Sequence, residues 1–155
     1  MKIQTFALIL ALAIEFSSTA SNGPILETID LELDTNKKYL IKSKDEGPIS
    51  YFLNYNSVRT ILPKKHFDLI KGYMETNGFK CKRKYVYSGG FYETFYCYEK
   101  NSVDFSKVKL NLNFENYTLT MTEDQLFETE GDKHYSKLRT QSGTSMIMAG
   151  ISKRK

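Results

Sequence analysis

The side chains with chemical capacity and good mechanical support lie in Tyr51-Phe52-Leu53-Asn54-Tyr55-Asn56-Ser57-Val58-Arg59-Thr60-Ile61-Leu62-Pro63. An apolar strand runs into a polar four-residue turn, and a second apolar segment leaves it and stops at a proline that opens a helix. Asn54, Asn56 and Ser57 are therefore held on a loop braced from both sides, the place where a reacting group would be carried. The amide at Asn54 hydrogen-bonds, but it neither ionises nor shuttles a proton in the working pH range.

The other reactive types are two cysteines, Cys81 and Cys97, and two histidines, His66 and His134. The cysteines have no neighbouring ligand set, so the spacing points to no metal site. Ser88-Gly89-Gly90 reads as a hairpin turn centred on Gly89. Tyr87 then faces Phe91, Tyr85 faces Glu93, Arg83 faces Phe95, and Cys81 faces Cys97, a separation that a disulfide bridges. Closing that loop contributes about 3 kcal/mol on the chain-entropy account. Tyr85, Tyr87, Phe91, Tyr92, Phe95, Tyr96 and Tyr98 make the ribbon strongly aromatic. That stripe suits cross-strand packing, and it would also suit a sugar-binding or base-stacking platform.

The chain has 155 residues, with 22 basic and 18 acidic side chains and a net charge of +4. That balance is too mild to indicate nucleic acid as a partner. Lys2, the apolar run over 6–14 and the small residues of Ser18-Thr19-Ala20 have the layout of a secretory signal peptide cut after Ala20. The run is well short of the ~20 residues that cross a bilayer, so no membrane anchor is expected after cleavage. Residues 21–155 are then expected to form one domain, secreted or in an endomembrane, lysosome-like lumen, where an even cysteine pair oxidises.

The elements that position these residues are mostly strands. Ile29, Leu31 and Leu33 alternate with Asp30 and Glu32, Asp34-Thr35-Asn36-Lys37-Lys38 turns, and Tyr39-Leu40-Ile41 returns, which predicts a hairpin. Pro63 suits a first helical position, Phe67, Ile70 and Met74 form one apolar face, and Asn77-Gly78 is a left-handed stop. Val108, Leu110, Leu112 and Phe114 alternate with Lys109, Asn111 and Asn113; Glu115-Asn116 turns, and Tyr117, Leu119 and Met121 return. Asn116-Tyr117-Thr118 is a glycosylation acceptor triplet on that turn. Thr122-Glu123-Asp124-Gln125 has capping-box spacing. Residues 128–145 are polar and the least informative part of the chain, before a last apolar run, Met146-Ile147-Met148.

The order of these features resembles the C-terminal lobe of the pepsin-like aspartic peptidases. The resemblance covers roughly 29–150 and is firmest over 51–126. Asn54 falls where that family has its catalytic Asp, Tyr55 at a Ser or Thr position, Asn56 at the glycine, and Ser57 keeps a hydroxyl. Leu62-Pro63 and Phe67 match the helix entry, Cys81 and Cys97 match the lobe's disulfide, and Ile147-Met148-Ala149-Gly150 is similar to an Ile-Leu-Gly segment near the family's C-terminus. The fold implied is mostly β, a single β-barrel-like lobe with one main helix, truncated at its C-terminal end.

Such peptidases use two carboxylates sharing one proton across a lobe interface. With Asn54 in the acid's place and no room for a second lobe, the resemblance implies a protein without proteolytic activity or cofactor, a remnant that binds extended peptide. A variant of the reading is an endopeptidase subunit completed in trans by a separate lobe, and Asn54 argues against it. Two further stretches imitate the motif. Asp34-Thr35-Asn36 is near to Asp-Thr-Gly but reads as a plain hairpin turn; Ser142-Gly143-Thr144-Ser145, preceded by Gln141, reads as a flexible polar loop. The competing reading is an unrelated secreted β-rich binding module that uses the aromatic ribbon over 85–98.

Overall fold

A computed structural model describes residues 25–99 and 103–152. The signal segment over 1–20, the linker over 21–24 and the basic end over 153–155 lie outside the described residues.

The first sheet comes from two hairpins with clean alternation. β1 (Leu26–Asp34) and β2 (Lys37–Lys42) pair as expected, β7 (Lys109–Phe114) pairs antiparallel with β1, and β8 (Thr118–Met121) completes the order β2-β1-β7-β8. Ile29, Leu31, Leu33, Leu110 and Leu112 face the core. The opposite face carries a polar ladder. The Asn111 amide donates to Asp30 Oδ1 and Glu32 Oε2 at 2.6 and 2.8 Å, and the Asn113 amide donates to Thr28 Oγ1 and Asp30 Oδ2 at 2.9 and 3.0 Å. Thr120 and Thr118 donate back to the two Asn oxygens, so the half-buried polar groups are satisfied in both directions.

α1 (Lys64–Thr76) buries His66, Phe67, Ile70 and Met74. Pro63 lies one position before the helix instead of inside it, and its carbonyl accepts the first helical bond from the Phe67 amide at 3.0 Å. Gly78 leaves the helix at φ 96, a value that only glycine adopts freely.

β5 (Lys80–Tyr87) and β6 (Phe91–Tyr98) form the hairpin with the expected register, from Tyr87 opposite Phe91 down to Cys81 opposite Cys97. The two cysteines form the disulfide, and Gly89 turns the apex at φ 68. β9 (Phe127–Glu130) and β10 (Lys133–Ser136) extend this into a second sheet, β5-β6-β10-β9. They supply structure to the stretch 128–145, about which the sequence is least informative. The inward side chains of β10 are His134 and Ser136, both buried and polar, so hydropathy shows no period of two there. His134 bridges Thr129 and Glu99 through its two ring nitrogens, at 3.2 and 2.9 Å, and stacks on Phe105 at 3.8 Å.

A third sheet, β11-β4-β12-β3, is assembled from short pieces: β3 (Tyr51–Asn54), β4 (Thr60–Ile61), β11 (Leu138–Arg139) and β12 (Ile147–Gly150). The capping box at Thr122 starts α2 (Glu123–Leu126) as its spacing predicts. The fold is thus mostly β with one main helix, but among the described residues the three four-stranded sheets do not close into a barrel. They enclose a core that includes Ile29, Phe67, Ile70, Phe95, Leu110 and Ile147.

Candidate functional site

The turn over 54–57 is where the third sheet is knotted together. β12 lies between β3 and β4, parallel to the first and antiparallel to the second, so the strand entering the turn and the strand leaving it are separated by a segment from much later in the chain. Gly150 stands opposite Asn54. Beyond it, the Ile151 amide donates to the Asn54 carbonyl at 3.1 Å and the Ser152 amide to the Ser57 carbonyl at 3.0 Å. The Gly150 amide donates to the buried Thr60 hydroxyl at 3.1 Å. β12 therefore holds the turn along its whole length.

Within the turn, the Asn54 and Ser57 side-chain oxygens are committed to the local backbone. Asn54 Oδ1 accepts the Asn56 amide at 2.9 Å, and Ser57 Oγ accepts the Arg59 amide at 3.0 Å while donating to the Arg59 carbonyl at 3.1 Å. Tyr55, 71% exposed, and the exposed Asn56 lie at the surface of the turn. Asp34 makes the same local bond, its Oδ1 accepting the Asn36 amide at 2.8 Å, within the β1–β2 hairpin. An Asx turn needs one acceptor oxygen, which amide and carboxylate supply equally. Asn54 thus builds the turn with an amide, which lacks the ionisation that acid–base chemistry needs.

Ser142-Gly143-Thr144-Ser145 takes a defined turn instead of a loose loop, with Gly143 at φ 85 and the Thr144 amide bonded to the Gln141 carbonyl at 3.1 Å. Asn116 is exposed between β7 and β8. The aromatic ribbon divides in two. Phe95 and Cys97 are fully buried, Phe95 meeting Phe67 of α1 edge-on at 5.7 Å, whereas Tyr85, Tyr87 and Phe91 at the tip are exposed, with Tyr85 and Phe91 stacked at 5.5 Å. On the other face Tyr96 packs against Tyr135 at 5.4 Å, with Lys133 over its ring at 5.2 Å.

Sequence reasoning missed a second grouping. Arg59 leaves the turn and lines a pocket of about 220 Å³ with Arg139 of β11 and Lys84 of β5. In sequence Arg59 and Arg139 lie far apart and Lys84 belongs to the separate run Lys80, Lys82, Arg83, Lys84, so no local signal joins the three.

His66 matters for any acidic compartment. Both its ring nitrogens are buried without a partner among the described residues. Burial first, then the Lys65 charge, hold its pKa below the ordinary 6.5, with Lys42 adding to this and Glu46 opposing it. A depressed folded pKa means that the unfolded chain takes up the proton first, so the contribution is present above pH ~6.5 and fades as pH falls towards the lower folded value. Thermal unfolding should show a lower Tm at pH 5 than at pH 7. The drop should be smaller in His66→Leu; an equal drop in both proteins would clear His66.

Among the described residues no helix is long and apolar enough to cross a membrane, and no cluster of His, Cys, Asp and Glu has the arrangement of a metal site. Comparison of the chain with protein-family models, with curated proteins and with solved structures finds no match in any of the three.

Proposed function

We propose that the chain is a secreted or lumenal, aspartic-peptidase-like single lobe without proteolytic activity, and that it binds extended peptide beside the turn over 54–57. One observation carries the reading. Two stretches of the resemblance, 51–54 and 147–150, lie far apart in sequence and are paired in register, Gly150 against Asn54. The Cys81–Cys97 disulfide suits the oxidising compartment.

Among the described residues β3 is the outermost strand of its sheet, with Phe52 and Tyr55 exposed beside the turn. An extended peptide added to that edge gains main-chain hydrogen bonds, and the two aromatics offer apolar contact. Catalysis would need an ionisable pair, and Asn54 supplies neither an acid nor a base. The same deficiency speaks against a subunit completed in trans.

The test is incubation of the disulfide-intact protein with denatured substrate at acid pH, with and without a transition-state-like aspartic peptidase inhibitor. No inhibitor-sensitive cleavage is expected. If cleavage appears and Asp34→Asn abolishes it, the active carboxylate is in the β1–β2 turn and the reading fails. A second reading, a β-rich module binding through the exposed Tyr85, Tyr87 and Phe91, is favoured by the free hairpin tip. NMR titration with unstructured peptides separates the two: shifts over 52–57 support the first, and shifts confined to 85–91 support the second.

A further inference from the structure

The pocket missed by sequence reasoning lies where the outer face of sheet β5-β6-β10-β9 meets β11 and the exit of the turn. Arg59, Lys84 and Arg139 bring three positive charges to its wall, and Glu128 and Glu130 of β9 bring two negative ones. Arg59 Nη2 forms a long ion pair with Glu128 Oε1 at 3.9 Å, and Glu130 is exposed. The two remaining cations rest over rings, Lys84 at 4.7 Å from Tyr135 and Arg139 at 5.7 Å from Tyr92.

Arg59 Nη1 and Arg139 Nε are buried without an acceptor among the described residues. Burying a guanidinium N–H unpaired carries its full desolvation cost, and such groups are rare without a function. The side-chain hydroxyls in the wall do not supply the need. Thr94 donates to the Leu138 carbonyl at 2.8 Å, and Ser136 Oγ accepts the Leu138 amide at 2.9 Å. Burial first, then the charge of Arg59, depress the pKa of Arg139, as expected for a partly buried guanidinium near a second one. The volume is below that of pockets holding drug-sized ligands and suits one charged headgroup.

We propose that this pocket binds a single oxyanion group, carboxylate, sulfate or phosphate, between the guanidiniums of Arg59 and Arg139, with Lys84 beside it. The planar fork of a guanidinium matches the oxygens of all three anions. The site does not depend on the peptide-binding reading.

The experiment is an NMR titration of the isotopically labelled, disulfide-intact protein with sodium phosphate, sulfate and acetate at constant ionic strength, with chloride as reference. Saturable shifts are expected at the amides of Arg59, Lys84, Ser136 and Arg139, and the three salts rank carboxylate against tetrahedral anions. Arg139→Gln and Arg59→Gln should each weaken binding roughly tenfold or more, because each removes a charge-assisted contact. Glu130→Gln removes an exposed like charge and should tighten binding about twofold, which keeps the test sound if an arginine variant misfolds. Shifts that fail to saturate, shifts spread over lysines such as Lys64 and Lys65, or affinities unchanged in both Arg139→Gln and Glu130→Gln would overturn the proposal.

Discussion

Gly150→Ala is expected to lose at least ~3 kcal/mol of stability, an exceptional effect for adding one methyl group. A Cβ at this position would lie 2.1 Å from the Arg59 carbonyl oxygen, 2.8 Å from its carbon and 2.8 Å from the Ser57 carbonyl oxygen. All three are backbone atoms, so no side-chain rotation relieves the clash. The relief available is to pull β12 away from the turn, which breaks the bonds from Gly150 to Thr60, Ile151 to Asn54 and Ser152 to Ser57 together. Gly72→Ala makes the control: it lies mid-helix with nothing within 4 Å, and should stabilise by about 0.5–1 kcal/mol. Urea unfolding of both variants reads the contrast. A wild-type midpoint for Gly150→Ala would mean that the turn over 57–59 yields easily, and the close seating of β12 would lose its significance.

Why some elements were legible in the sequence and others were not comes down to how many residues repeat a pattern. The 80–98 hairpin announces itself because the glycine pair at 89–90 and the two cysteines mark both ends, leaving one register that satisfies both. β7 and β8 show because Leu110 and Leu112 alternate with Asn111 and Asn113, residues kept polar by the carboxylates and hydroxyls they bond across the sheet. The third sheet is different. β4 and β11 have two residues each, too few for any periodicity, and their pairing with β12 is decided by tertiary contact.

The turn itself was legible in type and not in arrangement. Asn54 can be placed at the head of a braced turn from its neighbours alone, but the seat made by Gly150 requires knowing that β12 passes between β3 and β4. The Arg59–Arg139 pocket lies at the far end of that scale, since its positive charges come from three separate strands or their approaches. Binding chemistry assembled across sheets leaves no mark on hydropathy.

Phe67→Ala should cost about 3–5 kcal/mol, the range for truncating a fully enclosed aromatic ring. Its side chain is 0% exposed and meets the equally buried Phe95 edge-on, with centroids 5.7 Å apart. These two rings connect the one long helix to the disulfide-bearing hairpin: Phe67 belongs to the apolar face of α1 with Ile70 and Met74, and Phe95 is two residues from Cys97 in β6. Removing the Phe67 ring therefore leaves a void at the joint between helix and sheet, where the disulfide limits how far β5 and β6 can move to fill it. Phe67→Leu retains most of the volume and should cost less than half as much. A double-mutant cycle with Phe95→Leu separates the ring–ring contact, expected at about 0.5–1.5 kcal/mol, from simple burial. Equal midpoints for Phe67→Ala and Phe67→Leu in urea would show that the joint collapses freely, and α1 would then be held to the β-structure mainly through Ile70 and Met74.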